Sequence, residues 1–336
     1  MKNIIISILS RISLENRFSL ADIGAMGGLP KIWRGYEEFL KIIAFEPDDR
    51  EFTKLISKEN MLNLNYALAE TKQNLDFYIT TEHGKSSNMQ PNQVLLSKYP
   101  CSLDYVVEKQ ITLSSEKVTT LDILSKNKSI PQIDFIKIDT QGSELSILKG
   151  GNNTILKDLL GIQIEVEFIP LYKNQPLFRH VDEFLSLNDF QLIDLKRYYW
   201  KRSESLTTKG KGEIIFGDAL YFISLERFKD YVTSLEKGGA RDKVLKYIVL
   251  TLVYGMNDYA LSLIKLGIEN QIFHKNEITY FEELELSLKN EIKVYKRIRG
   301  IARMIRILYH FQKTLKRFSD PYWAASDLEI GNVIDS

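Results

Sequence analysis

Short apolar runs alternate with amphipathic segments through the first two thirds of the chain. The runs that predict strands are 18–23, 42–46, 62–68, 75–80, 134–139, 161–166, 191–199 and 219–224. The segments that predict helices are 33–40, 49–57, 143–148 and 177–187. Strands that alternate with helices form a parallel sheet covered on both faces, so the pattern predicts an α/β fold. The last two strands flank a polar, basic loop and predict an antiparallel pair at the sheet edge.

The pattern changes near residue 230, where strand-like runs give way to helical periodicity. Residues 244–253 and 259–266 predict two helices joined by a short turn. The predicted segments are a lead-in helix over 1–17, an α/β domain over 18–229 and a helical region over 230–336.

Composition narrows the function classes. The 336 residues carry 45 Lys and Arg against 44 Asp and Glu, which disfavours a globally basic nucleic-acid binder. A single cysteine, Cys101, excludes an intrachain disulfide and a thiolate zinc site, and four scattered histidines disfavour any metal site. The apolar run at 4–9 is too short for a secretory signal or a membrane span. We therefore expect a cytoplasmic protein.

A glycine-rich turn follows the first predicted strand. Residues 22–28 read DIGAMGG, and Glu46 closes the second strand. Glycines at such a turn let the backbone bend tightly, and an acid after the second strand of a doubly wound sheet accepts ribose hydroxyls. The combination predicts a nucleotide-type cofactor, with a purely structural turn as the alternative.

The residue types in the turn discriminate between cofactors. A dinucleotide site places glycine at the third position of the motif, where this chain has Met26. Asp22 suits the ammonium group of a methionine moiety, so the turn favours S-adenosylmethionine. A nicotinamide-dependent oxidoreductase stays the alternative. The tyrosine-lysine pair at Tyr105 and Lys109 matches a dehydrogenase pattern, but so does the pair at 309 and 313, as chance would produce.

Several ordered motifs resemble the FkbM-type S-adenosylmethionine-dependent methyltransferases over residues 18–225. They are DIGAMGG at 22–28, FEPD at 45–48, NYAL at 65–68, GKSS at 84–87, PN at 91–92, VTTLD at 118–122, FIKIDTQGSELSILKG at 135–150, IEV at 164–166 and PLY at 170–172.

The resemblance implies a class I, Rossmann-like methyltransferase sheet with a helical C-terminal region. It places Asp22 and Gly24 under the methionine part, Glu46 at the ribose, Ala67 and Leu68 beside the adenine, and Asp139 at the methyl-transfer site. The complete set of predicted cofactor contacts is Asp22, Gly24, Ala25, Gly28, Glu46, Pro47, Ala67, Leu68 and Asp139. The family acts mainly on hydroxyl oxygens, so we expect a carbohydrate, glycolipid or secondary-metabolite acceptor.

An alcohol must lose a proton during methylation, so the site needs a nearby base. The candidates are Asp139, Glu165 and His83, the first two at strand ends and the third in a polar loop. Glu165 and Glu167 share a strand face, and either could instead have a structural role. Lys137 could be a salt-bridge partner or an electrophile. A non-catalytic binding protein that retains the cofactor fold is a further alternative.

The C-terminal region carries a concentrated positive charge. Residues 289–317 contain ten Lys or Arg and one acid, and the rest of the chain holds 35 basic and 43 acidic residues. Apolar residues recur at helical spacing, at 294, 298, 301, 305, 308 and 315. The segment predicts either a basic amphipathic helix on an anionic membrane or other polyanion, or a helix packed on its own domain. No nucleic-acid partner is expected.

Overall fold

Seven strands form the central sheet of the computed structural model, which describes residues 2–11, 14–153, 155–207, 212–294, 304–305, 307–312, 315 and 327. These strands are β1 (Phe18–Ile23), β2 (Leu40–Phe45), β3 (Met61–Leu64), β8 (Phe135–Ile138), β9 (Gly161–Glu167), β10 (Phe190–Trp200) and β11 (Glu213–Ile223). Every side chain of β1 is buried, as expected for a central strand covered on both faces. The fold is the predicted α/β class.

The strand order is β10-β11-β9-β8-β1-β2-β3. The pairs from β3 to β9 are parallel, whereas β11 pairs antiparallel with both β9 and β10. The predicted antiparallel edge pair is thereby confirmed. The chain moves outward from β1 in one direction to β2 and β3, then returns to place β8 on the other side of β1. Ligands bind at such a reversal, outside the carboxyl ends of the strands.

Four further strands lie outside the central sheet: β4 (Ala67–Leu68), β5 (Leu75–Thr80), β6 (Val107–Leu113) and β7 (Val118–Thr119). The helices of this part of the chain are α2 (Asp49–Phe52), α3 (Gln93–Leu96), α4 (Leu121–Lys126), α5 (Glu144–Lys149), α6 (Ile155–Asp158) and α7 (Phe178–Leu187). Strand β4 pairs with β7, and β5 pairs with β6.

Some predicted elements are wrong in kind or in extent. The second strand of the antiparallel pair begins at Glu213 rather than at 219. Residues 33–40 are not an α-helix: two 3₁₀ turns flank Gly35, whose φ of +92° interrupts any helix, and β2 begins at Leu40. The helix predicted over 49–57 ends at Phe52, because most side chains beyond it are exposed and supply no packing. The strand predicted over 62–68 divides into β3 and β4, which pair in different sheets.

The remaining helices form a second unit. They are α1 (Lys2–Arg11), α8 (Leu225–Thr233), α9 (Lys237–Val253), α10 (Asn257–Glu269) and α11 (Lys275–Val294). A buried ion pair between Arg241 and Glu277 ties α9 to α11. Helices α9 and α10 are the predicted helical hairpin. No described helix is long and apolar enough to cross a bilayer.

Contacts divide the chain into one unit of residues 1–16, 225–325 and 331–336 and another of residues 17–224 and 326–330. The boundaries proposed from sequence, after residues 17 and 229, lie one and five residues from these divisions. The three-segment organisation itself stays a prediction.

Candidate active site

The candidate site lies where β1 and β8 end side by side at the carboxyl edge of the sheet. Ile23 pairs with Ile138 at the last rung, so the glycine turn after β1 and Asp139 after β8 leave the sheet together. Phe45 pairs with Ile23 on the other side, which brings the end of β2 to the same edge. The topology therefore gathers most of the predicted site from segments far apart in sequence.

The glycine turn is fixed to both neighbouring strands. The amides of Gly24 and Ala25 donate to the Phe45 carbonyl at 3.0 and 3.1 Å. Gly24 has a φ of +77°, and a Cβ there would lie 2.0 Å from the Asp139 carbonyl oxygen. Glycine is therefore required at 24 for packing within the protein. Gly28 also has a positive φ but faces open space, with no atom within 4 Å of a Cβ position.

The Lys137 ammonium bridges two acids of the site. Its Nζ lies 3.4 Å from Asp22 Oδ1 and 3.6 Å from Asp139 Oδ2, and it donates to the Gly24 carbonyl at 3.3 Å. Burial disfavours the charge on Lys137, but Asp22 and Asp139 outweigh it and raise the pKa of the lysine. Lys137 is therefore a salt-bridge partner with a permanent positive charge.

The two carboxyls beside Lys137 differ in environment. Burial raises the pKa of Asp22 to about 6, although Lys137 opposes the shift. Burial also acts on Asp139, but there Lys137 and a hydrogen bond from the Gln141 amide outweigh it and lower the pKa. Asp139 is therefore the more readily ionised of the two, and its side chain is 39% exposed.

Glu46 stands directly after β2 with its side chain buried. Its Oε1 accepts a hydrogen bond from the Asp48 amide at 2.9 Å, across Pro47. Burial raises the pKa of Glu46 to about 7, and the nearby acids Asp48, Glu51 and Asp22 add to the shift while the Asp48 amide opposes it. Glu46 thus changes its charge near neutral pH.

Ala67 and Leu68 are buried in β4 rather than at the edge of the central sheet. Ala67 packs in a small apolar cluster with Ala69 and Val118. Their proposed contact with adenine stays a prediction.

Gln141 connects the two predicted catalytic acids. Its Nε2 donates to Asp139 Oδ1 at 2.9 Å and to Glu165 Oε2 at 2.6 Å. Its Oε1 accepts from the Tyr172 hydroxyl at 3.2 Å, and its carbonyl accepts from the Ser87 hydroxyl at 2.7 Å. Gln141 also has a φ of +60°, a strained conformation for a residue with a side chain. The structure therefore brings Asp139 and Glu165 together through one amide.

Glu165 belongs to a buried acidic group. Burial raises its pKa well above the usual range, and Asp139 and Glu167 add to the shift. Burial and the nearby Glu144 also raise the pKa of Glu167. The pair formed by Asp139 and Glu165 is thus asymmetric, because the pKa of Asp139 is lowered and the pKa of Glu165 is raised. Among the described residues, no His, Cys, Asp or Glu side chains are grouped as metal ligands.

His83 is held by residues of α2. Its Nε2 lies 3.0 Å from Arg50 Nη1 and its Nδ1 lies 2.8 Å from Glu51 Oε1. An arginine only donates, so Nε2 accepts and Nδ1 carries the proton. Neither of these ring contacts involves Asp139 or Glu165. The role of His83 as a base stays a prediction.

Strands β9 to β11 extend the site along one face of the sheet. Glu165 pairs with Asp218, which pairs with Lys196, so these side chains form a row that continues from Asp139. Phe216 and Tyr198 lie two residues away from Asp218 and Lys196 on the same strands. Their rings stack with centroids 4.5 Å apart and planes 15° apart.

The row and the ring pair are linked by polar contacts. The Tyr198 hydroxyl donates to Asp218 Oδ2 at 2.8 Å. Lys85, in the loop of His83, places its Nζ 6.0 Å from the Phe216 ring centroid. A polar row beside a flat aromatic pair can hold a molecule that has both hydroxyls and an apolar face.

Sequence reasoning did not identify Gln141 as a site residue. Its role depends on a positive φ and on contacts with Glu165 and Tyr172, which lie 24 and 31 positions further along the chain. A single sequence shows neither feature. Cys101 is buried, and burial together with Asp104 raises its pKa to about 12.

A cavity of about 460 Å³ opens beside the glycine turn. Its walls include Asp22, Ala25 and Gly28, together with Ala44 and Met61 from the adjacent strands. The cavity shows that space exists next to the turn, whereas Glu46 and Asp139 are not among its lining residues.

Comparison with known families gives one match. The model of the methyltransferase FkbM domain matches residues 22–192, just over half of the chain. No curated protein matches the chain.

Solved structures similar to the chain include M. capricolum TrmK in complex with S-adenosyl-homocysteine, its natural cofactor product, at 12% identity, a TM-score of 0.32 and coverage of 87% of this chain and 97% of that one. Methyltransferase FkbM from Methylobacillus flagellatus KT is 17% identical, with a TM-score of 0.30 and coverage of 61% and 45%. Streptococcus pneumoniae Sp1610, a putative tRNA (m1A22) methyltransferase, is 12% identical, with a TM-score of 0.29 and coverage of 85% and 96%.

The Gln141 amide predicts a measurable pKa change. Gln141→Met keeps the unbranched shape but removes both donors, so the pKa of Asp139 should rise by about one unit. Carbon-13 NMR titration of the side-chain carboxyls measures the shift. Tyr172→Phe is the matched control, because it removes a contact to Gln141 and leaves both amide donors in place. An equal pKa of Asp139 in wild type and Gln141→Met would contradict this assignment.

Proposed function

The chain belongs to the FkbM family of methyltransferases, and from that premise we propose that it methylates a hydroxyl oxygen of a carbohydrate, glycolipid or secondary metabolite. Its cofactor is S-adenosylmethionine. The observation that carries the proposal is the ionised Asp139 at the end of β8, continued by the polar row and the stacked rings of β9 to β11. This arrangement offers a proton acceptor and a surface for a hydroxylated molecule at the same edge of the sheet.

The residues around the glycine turn fit the cofactor. Apart from its ion pair with Lys137, the buried Asp22 Oδ1 has no hydrogen-bond donor among the described residues, so the carboxyl keeps an acceptor position for an ammonium group. Glu46 ends β2 with a carboxyl suited to two ribose hydroxyls, and the space over Gly28 is open. Asp22, Gly24, Gly28 and Glu46 would therefore hold the cofactor, with Asp139 beside them.

When bound, S-adenosylmethionine supplies an electrophilic methyl group. Methyl transfer is an in-line displacement, so the contribution of the protein is to hold the acceptor oxygen on line and to take its proton. Asp22 and Glu46 would hold the cofactor so that its methyl group could pass to the acceptor oxygen, with the electron pair of the carbon–sulfur bond left on sulfur.

Asp139 is the residue that we assign to accept the hydroxyl proton. It is ionised, partly exposed and held at Oδ1 by Gln141 and at Oδ2 by Lys137. Burial raises the pKa of Glu165, so it keeps its proton to a higher pH than Asp139 and is better suited to donate a hydrogen bond than to act as the base. The asymmetry of the pair thus assigns different roles to two neighbouring carboxyls.

The acceptor surface favours a ring with polar edges. The half-buried Tyr198 ring, stacked on the buried Phe216, offers apolar surface, while Asp218 and Lys196 lie beside it with an Nζ to Oδ2 distance of 3.9 Å. A sugar ring presents C–H groups on its faces and hydroxyls at its edges, which matches this combination.

The family assignment decides against the nicotinamide-dependent oxidoreductase. Met26, which fills the position of the second dinucleotide glycine, is a 42% exposed side chain of the turn. A non-catalytic binding protein stays the second alternative, and turnover separates it from the enzyme.

The charge of Glu46 predicts a pH-dependent affinity. Its carboxylate accepts hydroxyls best when ionised, and its pKa is about 7, so S-adenosylhomocysteine should bind roughly tenfold more weakly at about pH 6 than at about pH 8. Asp22 has a pKa of about 6, so its protonation should weaken binding by a further factor of about two when the pH falls from about 8 to about 6. Calorimetric titration at several pH values measures both effects.

Glu46→Gln is the matched variant, because it keeps the size of the side chain and removes its titration. Only the dependence of about twofold from Asp22 should remain in this variant. An identical pH dependence in wild type and Glu46→Gln would exclude Glu46 as the group responsible.

The proposed reaction is tested by transfer of an isotope-labelled methyl group from S-adenosylmethionine to a panel of sugars and glycolipids. We expect the label on an oxygen atom, with kcat lowered about 100-fold or more in Asp139→Asn. Asp218→Asn serves as the comparison, since it lies two strands from Asp139 and should raise the acceptor KM more than it lowers kcat. Label on nitrogen or carbon, no transfer to any hydroxyl compound, or an unchanged kcat in Asp139→Asn would refute the proposal.

A further inference from the structure

Helical residues near the C-terminus expose an apolar stripe. Residues 304–305, 307–312 and 315 are helical. The exposed stripe consists of five apolar side chains, each 54–62% exposed: Met304, Ile307, Leu308, Phe311 and Leu315. Their separations of three, four and seven positions place them on one side of a helix.

This stripe differs from the other exposed apolar residues. Ile56, Val94 and Leu187 are equally exposed, but each is the sole large apolar exposed side chain of its own element or loop. Single exposed apolar residues are ordinary, whereas a continuous stripe marks an interaction surface. Packing of the helix on its own domain, one of the two expectations from sequence, does not hold for the described positions 305, 308 and 315, which are exposed. Positions 298 and 301 lie outside the described residues, as does the side chain of 294.

The sequence around the stripe is strongly basic. Residues 289–317 contain ten Lys or Arg and one acid, Glu291. In the sequence, Arg303, Arg306, Lys313 and Arg317 repeat at a helical spacing of their own, offset from the apolar positions. A helix with aliphatic and aromatic residues on one side and Lys and Arg on the other is typical of segments that lie in the interface of an anionic bilayer.

We propose that the exposed stripe docks on the surface of an anionic phospholipid bilayer. Apolar side chains enter the boundary between headgroups and acyl chains, and the surrounding Lys and Arg attract the negative headgroups. A nucleic acid would satisfy the charge but leave the stripe in water. A second copy would cover the stripe but bring two strongly basic segments together. The bilayer is the occupant that satisfies both features at once.

Vesicle flotation of the full chain tests the proposal. With vesicles of phosphatidylcholine and phosphatidylglycerol at low salt, we expect at least roughly tenfold more bound protein than with phosphatidylcholine alone, and release at high salt. Leu308→Glu with Phe311→Glu should abolish flotation. Leu187→Glu is the matched control, an equally exposed apolar residue on α7, and should float like wild type. Arg303→Gln with Arg306→Gln and Lys313→Gln should weaken flotation on the anionic vesicles.

Circular dichroism and S-adenosylhomocysteine affinity should be unchanged in each variant, which separates lost docking from unfolding and from failure of the proposed reaction. Several results would overturn the proposal: no flotation of wild type at low salt, equal flotation on neutral vesicles, or flotation retained in the stripe variant. Two others would do so as well. One is a wild-type dimer that the stripe variant converts to monomer, and the other is RNA binding that depends on the stripe.

Discussion

The Lys137 ammonium is the charge on which the candidate site depends. It lies between Asp22 at the end of β1 and Asp139 after β8, and it also donates to the Gly24 carbonyl. Two buried or partly buried carboxyls at adjacent strand ends would repel each other without a cation between them. Lys137 therefore allows Asp22 and Asp139, the acids proposed to face the cofactor and the acceptor, to lie together at the point where the strand order reverses.

Neighbouring acids of the site have pKa values that are shifted in opposite directions. Asp139 accepts a hydrogen bond from Gln141 and lies beside the Lys137 ammonium, and both lower its pKa. Burial raises the pKa of Glu165 on the next strand. Gln141 contacts both and fixes their separation with a single amide group. The exposed stripe and these acids belong to different units of the chain.

The sequence was most informative where local pattern and tertiary structure agree. The run 18–23 predicted β1 to the residue, because a central parallel strand is apolar throughout. The helix predicted over 33–40 does not form, because Gly35 has a positive φ that interrupts it. Gln141 could not be found, because its importance comes from long-range hydrogen bonds and a backbone angle. The Asp22 and Glu46 positions were predictable since fixed strand ends bring them to one edge.

Calorimetric titration of the wild-type chain and of Lys137→Met with S-adenosylhomocysteine tests the central claim most directly. We predict that wild type binds and that the variant binds at least about tenfold more weakly, because loss of the ammonium leaves Asp22 and Asp139 without their shared partner. Equal affinity in the two proteins, with both folded by circular dichroism, would show that the site does not depend on Lys137.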